Sequence, residues 1–452
     1  MKAQIYFEET LTQFLDSNSE KLTSNCTGKL MVQNHSNNTT LWSIKLGGER
    51  DTDISNYEEQ EISHLQAGKH FETYYKVKLD SKLILSEKID TFTKDETGVF
   101  IEDNNTLVTG VSQNVLFEIS LLNNYSFSLT NIEMYKQFDQ SCVEYRILQP
   151  FAGSMEESEN AFIWKLDKLD PNSEIKIRIV AELKPMTSDP VPTGEINLRV
   201  KGTGQLSSLK PTIFAECDNV DLSLEINETE DPGKWEINTE YTNNSEFDTL
   251  LNKIQLKYGE TNLIDDTINS VFDADPGGEA WKREGPSWKK LVNLQADEYP
   301  VIDKEYDYNV VYDVNSGIII AINKENDFLR VVEISVQKHF QPNQINTYTR
   351  TPLLYTLQIS NIGTAVIGKL RFEDTIPPYL VISSIETDNN QEDELSTMIG
   401  EHKGLDEKII EIIDRNDEIP DSMSIQDPRR LQIDLDLPSF FPGTQTTLRV
   451  NC

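Results

Sequence analysis

The chain carries one two-part pattern of alternating apolar residues four times, and this repetition constrains its fold more than any other feature. The first part is a run in which every second residue is apolar, followed by an Asn and a second run of the same kind, as in "LQISNIGTAVIGKLRF". Side chains that alternate in this way lie on one buried face of a β-strand. Because Asn tolerates left-handed backbone angles and hydrogen-bonds its own backbone, each Asn is predicted to lie at a bend between strands. The four copies place it at Asn34, Asn123, Asn243 and Asn361.

The strand after each Asn has two apolar residues two positions apart, and both are predicted to face a core. These pairs are Ile44 and Leu46, Ile132 and Met134, Ile254 and Leu256, and Leu370 and Phe372.

In the second part of the pattern, a short alternating strand reaches an apolar residue, and a turn and another alternating strand follow. The apolar residues are Leu65, Leu169, Leu294 and Phe441, and the turns are Ala67-Gly68, Pro171-Asn172, Ala296-Asp297 and Pro442-Gly443. Pro and Gly pre-set turn dihedrals and fix the register of the flanking strands.

Two such strand pairs, recurring roughly every 110 residues, are typical of tandem immunoglobulin-like sandwiches. The sequence therefore predicts an all-β fold of tandem immunoglobulin-like β-sandwich domains in an extended arrangement. The predicted domains are 1–97, 98–206, 207–326 with an inserted loop, and 327–452 with a long insertion. A closing strand is predicted before each boundary ("LILSEKIDTF", "GEINLRVKG", "SGIIIAINKE"), with polar linkers such as "TKDET" and "KENDF". The alternative is one large β-structure in which the alternation recurs by coincidence.

The fourth copy resembles the conserved-repeat domain of prokaryotic surface proteins, an Ig-like module. The resemblance covers about 100 residues and depends on three motifs, which are Asn361 with Gly363, Asp374 with Pro377, and Pro442 with Gly443. The first three copies keep the strand pattern but lack the first two of these motifs. The resemblance implies a structural or adhesive spacer on the cell envelope of bacteria or archaea, with no catalytic residues.

Composition excludes several classes of function. With 76 acidic and 41 basic residues, the formal charge is -35, and such a surface repels nucleic acid and anionic membranes. No apolar run approaches the roughly 20 residues that cross a bilayer, so no direct membrane insertion is expected. The resemblance implies a cell-surface location, whereas the lack of a readable signal peptide predicts the cytoplasm. The four separated cysteines, Cys26, Cys142, Cys217 and Cys452, are predicted to be free thiols.

One acidic loop is a candidate calcium site. "DADPGGEAWKRE" has acids at positions 1, 3 and 12 and Gly278 at position 6, where helix-loop-helix calcium sites place oxygens and a sharp turn. The candidate ligands are Asp273, Asp275, Glu279 and Glu284. Pro276 and the flanking β-pattern instead favour an ordinary acidic turn. The five histidines are too scattered to predict a second metal site.

The sequence predicts a non-catalytic structural or adhesive scaffold whose partners are proteins or copies of itself. The alternative is a cytosolic adaptor that binds partners through the inserted loops of domains 3 and 4, where "GLDEKIIEIIDRN" has helical spacing. An enzyme ranks last, because no catalytic motif is present. The sequence ends inside a predicted penultimate strand, so either the chain continues beyond Cys452 or a neighbouring molecule supplies the missing strand.

Overall fold

The protein is all-β, as the alternation predicted. The computed structural model describes residues 1–49, 54–55, 59–91, 99–100, 106–149, 151–271, 282–284, 287–345, 351–376, 384–388 and 429–452. No residue in these ranges is helical, so none of them belongs to an apolar helix long enough to cross a bilayer.

The described strands number 33. The first seventeen are β1 (Ala3–Leu15), β2 (Lys21–Gln33), β3 (Leu41–Glu49), β4 (Ile54–Ser55), β5 (Gln60–Leu65), β6 (His70–Val77), β7 (Leu83–Thr91), β8 (Val99–Phe100), β9 (Thr106–Val108), β10 (Gln113–Asn123), β11 (Leu129–Gln137), β12 (Cys142–Ile147), β13 (Ser154–Glu157), β14 (Ala161–Leu169), β15 (Ser173–Leu183), β16 (Val191–Pro192) and β17 (Ile196–Gly202). The others are β18 (Lys210–Cys217), β19 (Val220–Glu228), β20 (Lys234–Asn243), β21 (Thr249–Tyr258), β22 (Thr261–Val271), β23 (Lys282–Glu284), β24 (Ser287–Gln295), β25 (Asp303–Val310), β26 (Tyr312–Lys324), β27 (Phe328–Val332), β28 (Ile334–Gln341), β29 (Leu354–Asn361), β30 (Ile367–Ile376), β31 (Ser384–Asp388), β32 (Arg429–Phe440) and β33 (Gln445–Asn451).

The repeated Asn lies at a bend in all four copies, where it replaces missing backbone hydrogen bonds. The Nδ2 of Asn361 donates to the carbonyl oxygens of Ala365 (2.9 Å) and Phe440 (2.8 Å), and its Oδ1 accepts from the backbone N–H of Gly363. Asn34 and Asn123 make the equivalent bonds, and all three residues are fully buried. None of the four adopts a positive φ, so the side-chain amide, and not a left-handed backbone, explains the choice of Asn.

The downstream turns are also confirmed. The strand before each turn ends at or next to the predicted apolar residue, and Gly68, Asn172 and Gly443 take positive φ values of 72°, 52° and 78°. The bend and the turn contact each other, because the N–H of Gly443 donates to the carbonyl of Asn361. The two parts of the pattern therefore form one unit.

The third copy pairs its strands differently from the other three. Elsewhere the strand before the Asn pairs with the strand after the downstream turn, as β2 with β6, β10 with β15 and β29 with β33. In the third copy β20 pairs with β24, and β21 pairs with β25. The cause is the hairpin β21–β22, which turns at Gly259 (φ 55°). In the other copies, the strand before the downstream turn pairs with the strand after the Asn. In the third copy β22 occupies that edge of β21, so β24, the strand before the turn, pairs with β20 in the opposite sheet.

Strands from the first three predicted domains are hydrogen-bonded into one nine-stranded sheet, in the order β13-β14-β11-β17-β26-β1-β2-β6-β4. β26 pairs in parallel with β1 and antiparallel with β17. Two closing strands therefore pair outside their predicted domains. One is β26 of the third domain, which pairs with β1 and β17, and the other is β7 of the first domain, which pairs with β10 of the second copy. In the predicted linker "KENDF", Lys324 is buried and ends β26, whereas residues 325–327 connect β26 to β27. The domain boundaries themselves and the extended arrangement stay predictions.

A short sheet joins the second and fourth copies. β27 pairs antiparallel with β16 and in parallel with β9, and the bend after Asn361 packs against the residues that follow β27. Gly363 is required there, because a Cβ at this position would lie 2.6 Å from the backbone nitrogen of Glu333. One hydrophobic core extends from Ala3 to Val331, and a second one serves the fourth copy.

We expect Asn123→Ala to destabilise the second sandwich by about 2–4 kcal/mol, because it leaves buried carbonyl groups and the N–H of Tyr125 without partners. The neighbouring Asn124 is exposed, so Asn124→Ala is the matched control and should change stability by less than about 0.5 kcal/mol. Urea unfolding followed by the fluorescence of buried Trp164 measures both. Equal unfolding free energies for the two variants would contradict the role assigned to the amide.

Candidate functional site

The predicted calcium ligands cannot be placed together. Asp273, Asp275 and Glu279 lie outside the described residues, and only the backbone of Glu284 is described, in β23. The helical segment "GLDEKIIEIIDRN" also lies outside them. Across the part of the chain that is described, no three His, Cys, Asp or Glu side chains form a group that could hold a metal ion.

The buried thiols of Cys142 and Cys217 lie in surroundings that do not activate them. Cys26, Cys142 and Cys217 are buried free thiols, as predicted, and Cys452 is half-buried. Burial raises the pKa of Cys142 and of Cys217 to about 11, which keeps both thiols protonated and poorly nucleophilic at neutral pH.

The most unusual site is a buried cluster of three charged residues, Glu87, Lys136 and Lys324, here named the ionic junction. The Nζ of Lys136 lies 2.7 Å from Oε1 of Glu87, and the Nζ of Lys324 lies 3.2 Å from Oε2 of the same carboxylate. The exposed fraction of these side chains is 0% for Glu87 and Lys136 and 1% for Lys324. The carboxylate of Glu87 is therefore the counter-charge for two buried amines, those of Lys136 and Lys324.

Three strands from three parts of the chain build this junction. Lys136 on β11 and Lys324 at the end of β26 both pair with Ile196 of β17, so the two lysines flank it in the nine-stranded sheet. Glu87 lies on β7 in the facing sheet, whose order is β12-β15-β10-β7. The carboxylate thus bridges the two sheets of the second sandwich, and Lys324 brings β26 to the same point.

Further contacts satisfy the lysines. Lys136 donates to the carbonyl of Gly194 (2.8 Å), and Lys324 donates to the carbonyl of Glu325 (3.2 Å). The rings of Phe117 and Phe138 lie 5.3 and 5.8 Å from the Nζ of Lys136, a range in which aromatic faces attract a cation. Removal from water lowers the pKa of Lys136, and repulsion from Lys324 adds to this effect, against the opposing attraction of Glu87.

The sequence analysis missed this site, although the sequence contains a signal for it. Each charge lies in phase with inward apolar residues of its strand, as Glu87 does after Leu83 and Leu85, and Lys324 after Ile320 and Ile322. A charge at an inward position requires a buried partner. The sequence does not identify that partner, because the three strands are brought together only by the fold.

A second buried carboxylate closes a loop over the first sandwich. Glu9 also lies in phase with the apolar residues of β1, and it is fully buried. It accepts hydrogen bonds from the Tyr75 hydroxyl (3.0 Å) and from the backbone N–H groups of Leu206 (2.6 Å) and Ser207 (3.0 Å). Burial, together with the charge of Glu9, raises the pKa of Tyr75 well above its usual value. Glu9 thus holds the segment between β17 and β18 in place.

The first and third copies contact each other at their bends. Both carboxylate oxygens of Glu246 accept backbone hydrogen bonds, from Asn37 at 3.0 Å and from Asn38 at 2.8 Å, and these bonds lower the pKa of Glu246. The side chain of Asn309 on β25 bonds both the carbonyl of Ile213 and the N–H of Ala215 on β18. These contacts fix the third copy against the first.

No family model and no curated protein matches this chain. Solved structures similar to it include the Mu homology domain of Fcho1 from Danio rerio with a bound Eps15 peptide, which is 12% identical and covers 47% of this chain and 88% of its own, with a TM-score of 0.28. The yeast delta-COP-I mu-homology domain is 7% identical and covers 73% of this chain and 97% of its own, with a TM-score of 0.28. The pilus backbone RrgB of Streptococcus pneumoniae is 9% identical and covers 62% of this chain and 66% of its own, with a TM-score of 0.19. All three are all-β, as this chain is, and membership of the conserved-repeat family stays a prediction.

We expect Glu87→Gln to destabilise the protein by about 3–5 kcal/mol, because it leaves two buried amines without a counter-charge. Replacing the whole junction with apolar residues of similar size (Glu87→Leu, Lys136→Met and Lys324→Met together) should recover most of this loss. Asp80→Asn is the control, because Asp80 pairs with Lys21 at the surface, and such a pair contributes less than about 1 kcal/mol. Urea unfolding measures all three variants. A triple variant as unstable as Glu87→Gln would show that packing, and not charge, holds this site.

The lowered pKa of Lys136 predicts a pH dependence. Because the folded chain binds fewer protons at Lys136 than the unfolded chain at pH values just below 10.5, the free energy of unfolding rises with pH in that window, by at most about 1.4 kcal/mol per unit. The stability difference between the wild type and Lys136→Met should therefore grow between neutral pH and about pH 10. The tyrosines and thiols are present in both proteins, so their contributions to the pH dependence cancel in this difference. Lys21→Met, at the surface, should give a constant difference, and a constant difference for Lys136→Met would contradict the pKa direction.

Proposed function

We propose that the protein is a non-catalytic structural or adhesive scaffold associated with a prokaryotic cell envelope, whose partners are other proteins or copies of itself. The observation that carries this proposal is the parallel pairing of β1 with β26, from Ala3 opposite Tyr312 to Leu15 opposite Lys324. The enclosed chain, from β2 to β25, lies between these two strands in sequence.

The geometry of this pair suits a load-bearing role. Tension applied before β1 and after β26 pulls two aligned parallel strands in opposite directions along their axes. All hydrogen bonds of the pair then bear the force at the same time. A hairpin that is opened from one end instead loses its hydrogen bonds one after another. The ionic junction lies at the end of β26 and ties that strand to β7 and β11. Such an arrangement resists stretching between the two ends.

The sites described above favour this function over catalysis. The buried Glu87 and Glu9 are both engaged by protein groups, and the buried thiols are held protonated. Glu87 and Glu9 each stabilise a junction between segments that are distant in sequence. Their arrangement supports rigidity of the chain.

Fractionation of native cells tests the location and the role. The scaffold is expected in the envelope fraction with an antibody against the chain. Recovery of the protein entirely in the soluble cytosol would overturn the envelope assignment and favour the adaptor, which binds partners through the loops of the third and fourth copies.

Single-molecule stretching tests the mechanical part. We expect the roughly 300 residues between β1 and β26 to extend only after the parallel pair has sheared, because the pair encloses them. Their extension, in one step or in several, should release about 1,000 Å of chain in total. Glu87→Gln should lower the force of that event, and the surface variant Asp80→Asn should not. Extension of the enclosed residues before the pair separates would contradict a load-bearing β1–β26 pair.

A further inference from the structure

The outward face of the nine-stranded sheet carries a row of four side chains that crosses four neighbouring strands. Phe14 of β1 lies opposite Asn323 of β26. Asn197 of β17 lies opposite Asn323 on one side and opposite Tyr135 of β11 on the other. These four residues are here named the aromatic–amide row. Because neighbouring strands in a sheet lie about 4.8 Å apart, the two aromatic residues at its ends are separated by about 14 Å.

All four side chains of the row face away from the core. The residues before and after each member in sequence are buried, so alternation along the strands places the members on the opposite face. Phe14 is 46% exposed, Tyr135 is 36% exposed, Asn197 is exposed and Asn323 is half-buried. The strands that form the row, and β2 and β14 on either side of it, all lie in the described part of the chain. Every backbone neighbour of the row is therefore observed.

The polar groups of the row are available to a ligand. Among the residues that the structure describes, no group bonds the amide of Asn197 or of Asn323, and no acid pairs with Arg199, the next outward residue of β17. The hydroxyl of Tyr135 donates to Oε1 of Gln137 at 3.1 Å, and this bond holds the ring in place. Within this described face, two amides without protein partners thus lie between two exposed aromatic rings.

The ionic junction lies directly behind the row. Lys136 follows Tyr135 in β11, and Lys324 follows Asn323 in β26. Both lysines are buried on the inward face. Because Glu87 holds these two strands from the facing sheet, their spacing is fixed before a ligand binds. A site whose groups are already held in position loses little entropy on binding.

The chemistry of the row fits a glycan. A sugar ring has faces made of C–H groups and an edge of hydroxyl groups. The faces of aromatic rings are negative and attract such C–H groups, while amides both donate to hydroxyls and accept from them. A straight glycan chain therefore matches aromatic residues that are separated by amides along a flat sheet.

The same features disfavour other macromolecules. Protein-docking surfaces present contiguous apolar patches, whereas two amides separate the aromatic rings here. The formal charge of -35 disfavours nucleic acid. An uncharged glycan meets neither obstacle.

We propose that the aromatic–amide row binds a straight, uncharged glycan chain. Sugar rings stack on Phe14 and Tyr135, and the sugar rings between them exchange hydrogen bonds with the amides of Asn197 and Asn323. The proposal goes beyond the scaffold function, whose partners are proteins or copies of the chain, because it assigns a binding site and a polysaccharide ligand.

Isothermal titration calorimetry of the full chain with cellohexaose and with chitohexaose tests the proposal, because both are straight, uncharged oligosaccharides. We expect at least one of them to bind. Phe14→Ala and Tyr135→Ala should each weaken this binding by about fivefold or more, since each removes one stacking contact.

The chain and the ligand each offer a matched control. Tyr74 is 58% exposed on β6 of the same sheet but lies outside the row, so Tyr74→Ala should change the affinity by less than about twofold. Maltohexaose has a curved chain and should bind more weakly than the straight oligosaccharides. Urea unfolding followed by Trp164 fluorescence should be the same for all variants, which separates a lost affinity from a lost fold.

The outcomes separate the proposal from its rivals. If neither straight oligosaccharide binds, the row is not a glycan site and the proposal is wrong. Binding that both alanine variants keep at full strength would place the ligand elsewhere, and equal binding of maltohexaose would overturn the assignment to a straight chain. A dimer in sedimentation that Phe14→Ala abolishes would show that a second copy occupies the row instead. None of these results depends on the force or fractionation experiments, so the two proposals can fail separately.

Discussion

The parallel pairing of β1 with β26 is the interaction on which the rest of the structure depends. It joins strands from opposite ends of a long stretch of chain, and pairing at such a sequence separation is entropically costly before it is stabilised by other contacts. The compensation comes from the inward face of the pair. There β26 buries Ile318, Ile320 and Ile322, and β1 buries Ile5, Phe7 and Leu11. The first copy attaches to this central pair through β2, and the second copy attaches through β17.

Buried polar groups give the strands their register. A strand that slips by one residue moves all its inward side chains to the other face. Apolar residues tolerate some repacking, but Glu87, Lys136 and Lys324 do not, because each would become a buried or misplaced charge without its partner. The amides of Asn34, Asn123 and Asn361 act in the same way at the bends, where each side chain bonds at least three backbone groups. Specific polar contacts thus select one arrangement among many that would bury similar apolar area.

The repeats show how local insertions redirect a shared plan. A tight hairpin at Gly259 adds β22 to the third copy, and the strand β24 then pairs in the opposite sheet. In the fourth copy the described strand at the position that β17 or β18 takes elsewhere is the two-residue β8. The strands before and after each Asn keep their places in all four copies, because the bend is fixed by local hydrogen bonds. The partners at the outer edges vary, because they come from distant parts of the chain.

The sequence by itself determined the strands, the Asn bends and the glycine and asparagine turns, since side-chain alternation and turn geometry depend on neighbouring residues. It also contained the in-phase charges at Glu9, Glu87, Lys136 and Lys324, from which buried partners could have been expected but not identified. Tertiary structure alone decided that β7 adds to the second copy, that β26 lies between β1 and β17, and that Lys324 is buried instead of lying in a linker. These outcomes depend on which edges remain open after the local hairpins form. Alternation specifies which face of a strand is buried, but it carries no information about which distant strand lies beside it.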